Sequence, residues 1–227
     1  MIISQSYTIR FLSRQELAKD TYSFYFERPK NFNFLPGQYN RWTLPITATD
    51  GRGSSRFFTI SSSPFEMDKL TLTTKIIQSD FKKALLKLEP NDEIKIFGPM
   101  GNFVFDETNA KPRVFIAGGV GITPFHSMLQ YAAAKNAPIP ITLLASFSTP
   151  EEMIFLEELK KLETMHTHIK NVYGRISEEL IKKYIPDITN SIFYVVGPPS
   201  MEEATKTLLN EMHITSENIL TEQFTGY

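Results

Sequence analysis

In the first hundred residues apolar side chains recur at every second position, as in Tyr22, Phe24 and Phe26 and again in Leu70, Leu72, Thr74 and Ile76. A period of two gives each strand one buried and one open face. Turn pairs such as Pro36-Gly37 and Asp50-Gly51 separate the runs, and the pattern predicts a small closed antiparallel barrel. One segment, DFKKALLKL at 80–88, switches to helical spacing and puts Phe81, Leu85 and Leu88 on one side. Its lysines 82, 83 and 87 read as a solvated face. From Lys111 onward the period changes. The runs RVFIA, PITLLAS, HIKNVYG, IFYVV and NILTE alternate with helical stretches, which predicts a parallel sheet covered by helices on both faces. Thr149 to Glu152 and Ser200 to Glu203 have capping-box spacing and predict helix starts. The expected fold class is therefore all-β followed by α/β. The division falls in the polar stretch Asp106 to Pro112, giving an N-terminal barrel over 1–108 and a doubly wound parallel-sheet domain over 109–227.

Two turns carry candidate chemistry. AGGVGITP at 117–124 follows a strand-like run and precedes a helix. Its glycines let the backbone approach a ligand, and the helix start favours an anion such as a pyrophosphate. Thr123 is the expected cap, with Pro124 in the first turn. An ordinary glycine-rich strand-to-helix turn has the same local sequence. RFFTISSSP at 56–64 differs in kind. Arg56 offers a fork of donors suited to phosphate. Phe58 alternates with Arg56 on one side of the strand, where a ring can lie flat on a flavin, and Thr59 adds a hydroxyl. The competing reading makes the phenylalanines barrel core and Arg56 half of a surface salt bridge.

These two turns, with GPMGNF at 98–103, YVVGPPSM at 194–201 and TEQFTGY at 221–227 in that order, make the chain resemble the ferredoxin-NADP reductase family of flavoproteins over essentially its whole length. The resemblance implies a flavoenzyme with FAD on the barrel and NAD(P)H on the second domain. Arg56, Phe57, Phe58, Thr59 and Thr74 would contact FAD, Thr59 near N5. Ser79 and the amides of Phe81 and Lys82 would meet its pyrophosphate, although Gln78 stands near where the family has glycine. The nicotinamide would dock between the turn holding Gly119, Val120, Gly121, Thr123 and Pro124 and the turn holding Gly197, Pro198, Pro199 and Met201. It would then pass hydride to N5. Val196 stands where the family often has cysteine, which removes a polar contact near the reacting carbon. Glu222 and Phe224 match the family's carboxylate and the aromatic lid that the nicotinamide displaces, and Tyr227 extends that contact or simply ends the chain.

The sequence after the second parallel strand, ASFST at 145–149, carries no arginine for a 2′-phosphate and no carboxylate to reject one. It favours NADH, while Arg175 in YGRIS leaves NADPH open. Reduced flavin would then serve a separate acceptor, a ferredoxin, a flavodoxin or an oxygenase component. A flavin-releasing reductase is the enzymatic alternative, and a non-catalytic redox sensor or scaffold the other.

Composition narrows the field further. Lys plus Arg is 24 and Asp plus Glu 25, so no global basic field draws in nucleic acid. There is no cysteine, hence no cysteine-ligated iron-sulfur cluster in this chain. Neither a signal-like start nor a membrane-length apolar run occurs, and a soluble, cytoplasmic protein is expected. His126, His166, His168 and His213 are scattered and predict no metal site. Trp42 and the methionines read as packing.

Overall fold

The computed structural model describes residues 2–222. Its first part is a six-stranded antiparallel sheet of β1 (Gln5–Ala18), β2 (Thr21–Glu27), β3 (Tyr39–Thr43), β4 (Ser55–Thr59), β5 (Lys69–Lys75) and β6 (Glu93–Met100), in the order β4-β3-β6-β1-β2-β5. The sheet curls until its ends meet, and the Ser61 amide donates to the Thr71 carbonyl at 2.9 Å. Alternation sends Phe24, Phe26, Leu70 and Leu72 inward, where they pack on Trp42, Ile94 and Ile96. Helix α1 (Asp80–Leu86) plugs one end through Phe81, Leu85 and the following Leu88.

The second part is a parallel sheet of β7 (Arg113–Gly118), β8 (Ile141–Phe147), β9 (Thr167–Tyr173), β10 (Ile192–Val196) and β11 (Ile219–Thr221), in the order β11-β10-β7-β8-β9. Successive residues of the buried strands face opposite layers. Phe115, Leu143 and Tyr194 pack under α2 (Thr123–Ala134) and α3 (Leu156–Leu162), whereas Val114, Leu144 and Phe193 pack under α4 (Glu178–Tyr184) and α5 (Pro199–Glu211).

The segment between the sheets is not loosely tethered. Phe103 and Phe105 belong to the core beneath α2. The fully buried Arg113 donates to the carbonyls of Asp106 and Asn109 at 2.8 and 2.6 Å and to that of Lys111. One guanidinium therefore satisfies three backbone acceptors that the polar stretch would otherwise bury unpaired.

Helix starts depart from expectation. Thr123 is the first residue of α2 and not its cap, because a 3₁₀ turn over Gly119–Ile122 runs straight into the helix. Residues 149–152 make only a 3₁₀ turn, and α3 begins later, after Phe155 in the left-handed conformation. Ser200 lies inside the first turn of α5, which starts at Pro199 without a side-chain cap. Among the described residues no helix is long and apolar enough to cross a membrane.

Candidate functional site

β8 and β9 lie on one side of β7, β10 and β11 on the other. In such sheets a crevice opens at the carboxyl ends where the strand order reverses, and here that point lies between β7 and β10. Both glycine turns leave the sheet there. A Cβ on Gly121 would run into the Val196 carbonyl, and one on Gly197 would lie 2.8 Å from the Met201 sulfur and 3.2 Å from the Gly118 Cα. The two loops therefore pack backbone against backbone. Gly119 differs: its φ is +52° and nothing lies within 4 Å of where a side chain would start, so its backbone faces open space.

That space is a cavity of about 780 Å³. Gly118 to Gly121 and Gly197 to Met201 line one side, with Ser146, Ser148 and Arg175 beyond them and Thr21, Lys75, Ile77 and Lys82 on the barrel side. Thr123 and Pro124 are buried behind this wall and do not line it. An ion pair between Lys75 and Glu152, 2.8 Å long, crosses from barrel to sheet domain at the cavity edge.

On the barrel side, β4 turns Arg56 and Phe58 to one face and Phe57 and Thr59 to the other. Arg56 is buried. Its Nη1 donates to the carbonyls of Arg52, Gly53 and Ser55 at 2.6, 2.9 and 2.7 Å, while Nη2 lies 3.6 Å from the Asp50 carboxylate without a hydrogen bond. Asp50 and Asp80 each accept from backbone amides across the same gap, which ties the 49–56 loop to the start of α1. Backbone amide bonds, from Arg52 within the loop foremost for Asp50 and from Thr49 for Asp80, hold both carboxyls below their usual range.

Lys82 breaks the expectation of a solvated lysine face. Lys83 and Lys87 are exposed, but Lys82 is only 4% exposed, on the cavity wall, and its Nζ donates to the Lys75 carbonyl at 2.8 Å. Burial, then Arg52 and Arg56 nearby, lowers its pKa to about 8. Ser79 caps α1 by accepting from the Lys82 amide, so that amide already has a partner within the chain. Phe81 is wholly buried in the barrel core with its ring 5.7 Å from Phe58, and Thr74 is buried on β5. Phe57 is 47% exposed and stands edge-on to Tyr39.

Thr59 leads to the last described residue. It pairs with Tyr39 across the strands, Tyr39 packs under Gly101, and Glu222 Oε1 lies 3.5 Å from where a Gly101 Cβ would sit. Burial raises the Glu222 carboxyl to about 8. Arg56 Nη2, Thr59 Oγ1 and Glu222 Oε2 are all buried without a hydrogen bond. An unsatisfied buried polar group costs roughly 1–3 kcal/mol, so each of the three fits a polar partner that the chain itself does not supply. Phe224 and Tyr227 lie outside the described residues. Among the described residues no group of three His, Asp or Glu side chains is placed to hold a metal.

Sequence reasoning missed the side chain of Lys82, which looked like one cation in a run, and that of His126, which bonds to Ser61 and Glu158 between the domains. Neither has a local signature: Lys82 turns onto the Lys75 carbonyl of the barrel, and His126 meets the Ser61 carbonyl across the domains.

Comparison with known proteins agrees with this geometry. Residues 8–105 match the family model described as the oxidoreductase FAD-binding domain, and residues 115–207 match that of the oxidoreductase NAD-binding domain. Flavohemoprotein A of Dictyostelium discoideum is 27% identical over 238 residues, covering 92% of this chain and 58% of that protein. The 2-halobenzoate 1,2-dioxygenase electron transfer component of Burkholderia cepacia is 30% identical over 206 residues, covering 85% and 59%. The chain thus spans under three-fifths of the length of each of these relatives. Among solved structures, the cytochrome P450 reductase of Amycolatopsis superimposes with a TM-score of 0.86 at 20% identity, over 100% of this chain and 72% of that one. At that identity the likeness concerns the fold.

Proposed function

The chain belongs to the ferredoxin-NADP reductase family of FAD-dependent NAD(P)H oxidoreductases, and from that premise we propose that it accepts hydride from a nicotinamide nucleotide and delivers electrons to a separate protein. Bound FAD would supply the redox chemistry, since a flavin takes two electrons at once and gives them up singly or in pairs.

The chain's own residues define the two binding surfaces. Gly119 and its neighbours offer open backbone at the start of α2 for the nucleotide's diphosphate, and Gly197 to Met201 form the facing wall. Arg56 and Lys82 would hold the phosphates of FAD, and Thr59 and Glu222 the polar edge of its ring. Glu222, with its raised pKa, carries a proton at neutral pH and can donate one hydrogen bond there. Phe224 and Tyr227 belong to the same reading as lid and outer contact. Residues 1–108 form the FAD domain and 109–227 the nucleotide domain.

The observation that carries this reading is the cavity of about 780 Å³ between the two glycine turns and the barrel, walled by open glycine backbone on one side and by the buried Lys82 on the other. Arg175 and Ser148 both line the cavity, so Arg175 would be the cation that a 2′-phosphate meets there, and NADPH stays open beside NADH. The reductase and electron-transfer components of oxygenases among the relatives favour an oxygenase component as acceptor. The test is an anaerobic visible spectrum of the FAD-loaded protein, with NADH and NADPH added separately. Rapid bleaching by either supports the reading and ranks the donors. A bound flavin that neither one bleaches overturns it.

A further inference from the structure

The two cofactor surfaces sit on different domains, so the distance between them depends on what locks one domain to the other. Helix α2 leads directly out of the glycine turn, and two consecutive residues in its first half reach the barrel. Ser127 Oγ donates to the Ser62 carbonyl at 2.7 Å, and His126 Nδ1 lies 2.8 Å from the Ser61 carbonyl. Both acceptors follow Thr59 by two and three residues. They cannot drift, because Ser61 and Ser62 are themselves bonded to Thr71 and Thr73 of β5.

The histidine is held on its other sides too. Its Nε2 is 2.6 Å from Glu158 of α3, and its ring stacks on Phe155 at 3.8 Å and 9°. Glu158 in turn is held below the usual carboxylate range, first by this hydrogen bond. The contacts of His126 and Ser127 with the Ser61 and Ser62 carbonyls are buried and so shielded from water.

We propose that His126, oriented by Glu158, and Ser127 are positioning residues that clamp the nucleotide-binding turn at a fixed distance from the flavin-binding strand and so set the geometry of hydride transfer. This rests on the flavoenzyme reading above. Neither residue lines the nucleotide cavity. Their loss should therefore act on the rate of transfer and not on affinity.

The chain lacks cysteine, so spin labels can be attached at introduced ones. Lys95→Cys on the barrel and Lys206→Cys on α5 are exposed sites, one in each domain. Pulsed-EPR distances between them should form one narrow distribution in the parent. The distribution should broaden in His126→Phe/Ser127→Ala, which keeps the ring stacked on Phe155 but removes both bonds. Glu158→Ala, at a half-exposed position, should broaden it to a smaller degree and guards against misfolding of the first variant. In the FAD-loaded unlabelled protein, flavin reduction at saturating nucleotide should slow about tenfold or more, since a misplacement of about 1 Å costs up to roughly 10²-fold. The dissociation constants for nucleotide and FAD should change less than twofold. Distances as narrow as the parent's, or a parental rate in both variants, would overturn the clamp. A parent that neither nucleotide reduces defeats the flavoenzyme reading instead, and the distance distributions then still decide whether the clamp exists.

Discussion

Lys82→Met should make the protein more stable and worse at holding FAD, two effects of opposite sign from one buried charge. The pKa of Lys82 falls to about 8 from 10.5 in the fold, and at 1.36 kcal/mol per unit this is a penalty of about 3 kcal/mol for keeping the ammonium buried at neutral pH. The sign follows from proton binding. Between pH 8 and 10.5 the unfolded chain binds more protons than the folded one, so stability rises with pH through that window and the full penalty applies below it. Methionine removes the charge but leaves the Lys75 carbonyl without its 2.8 Å bond, which returns about 1 kcal/mol. The net expectation is an apo protein stabilised by about 2 kcal/mol at pH 7, with the gain shrinking above pH 9. FAD affinity should move the other way. A charge-assisted bond to phosphate is worth roughly 1.5–3 kcal/mol, which amounts to about a 10- to 150-fold rise in the dissociation constant. Urea unfolding of the apo protein and flavin-fluorescence titration measure the two quantities separately. A variant that is less stable and binds FAD as tightly as the parent would show that Lys82 is a structural lysine satisfied within the chain, and the phosphate role would fall.

Three further expectations can be checked with the same assays. Arg56→Ala should weaken FAD binding tenfold or more while circular dichroism stays native, because Nη2 has no hydrogen bond within the chain. Gly121→Ala should lower stability by about 1–3 kcal/mol in urea, since its methyl must displace the Val196 backbone and not a flexible side chain. Glu222 is a carboxyl raised by burial from 4.5 to about 8, so in the apo protein the folded state binds the extra proton and stability falls as pH rises from 4.5 to 8. Thermal melting across that range should be flatter for Glu222→Gln, and a parallel pair of curves would mean that the carboxyl ionises normally.

Period-two alternation in Phe24, Phe26, Leu70 and Leu72 was enough to read the barrel, and continuous apolar runs such as RVFIA and IFYVV the parallel sheet. Local pattern reports which face of an element is buried, and these elements bury faces against their own sheets. It fails where burial comes from outside the element's own apolar stripe. Lys82 lies beside Phe81 on α1, off that stripe, and turns its ammonium onto the Lys75 carbonyl at the cavity wall. Eight of the twelve residues of α2 are buried, on the barrel side as well as the sheet side, so His126 reads as one polar residue in an apolar helix. Capping signals misled for a related reason: the backbone enters α2 from a 3₁₀ turn that satisfies the first amides without Thr123. The glycine turns were readable as ligand loops, but their mutual packing through Gly118, Gly121 and Gly197 depends on strand order, which spacing along the chain does not encode.

The central claim is that hydride passes directly from the nicotinamide to a flavin held between these domains. Anaerobic stopped-flow bleaching of the FAD-loaded protein, with the dihydronicotinamide deuterated at carbon 4 on one face and then on the other, tests it most directly. The account predicts that bleaching slows several-fold with deuterium on one face and is unchanged with deuterium on the other, because a fixed cleft presents one face only. Equal rates for the protiated and both deuterated nucleotides, with bleaching that depends on nucleotide concentration, would contradict it.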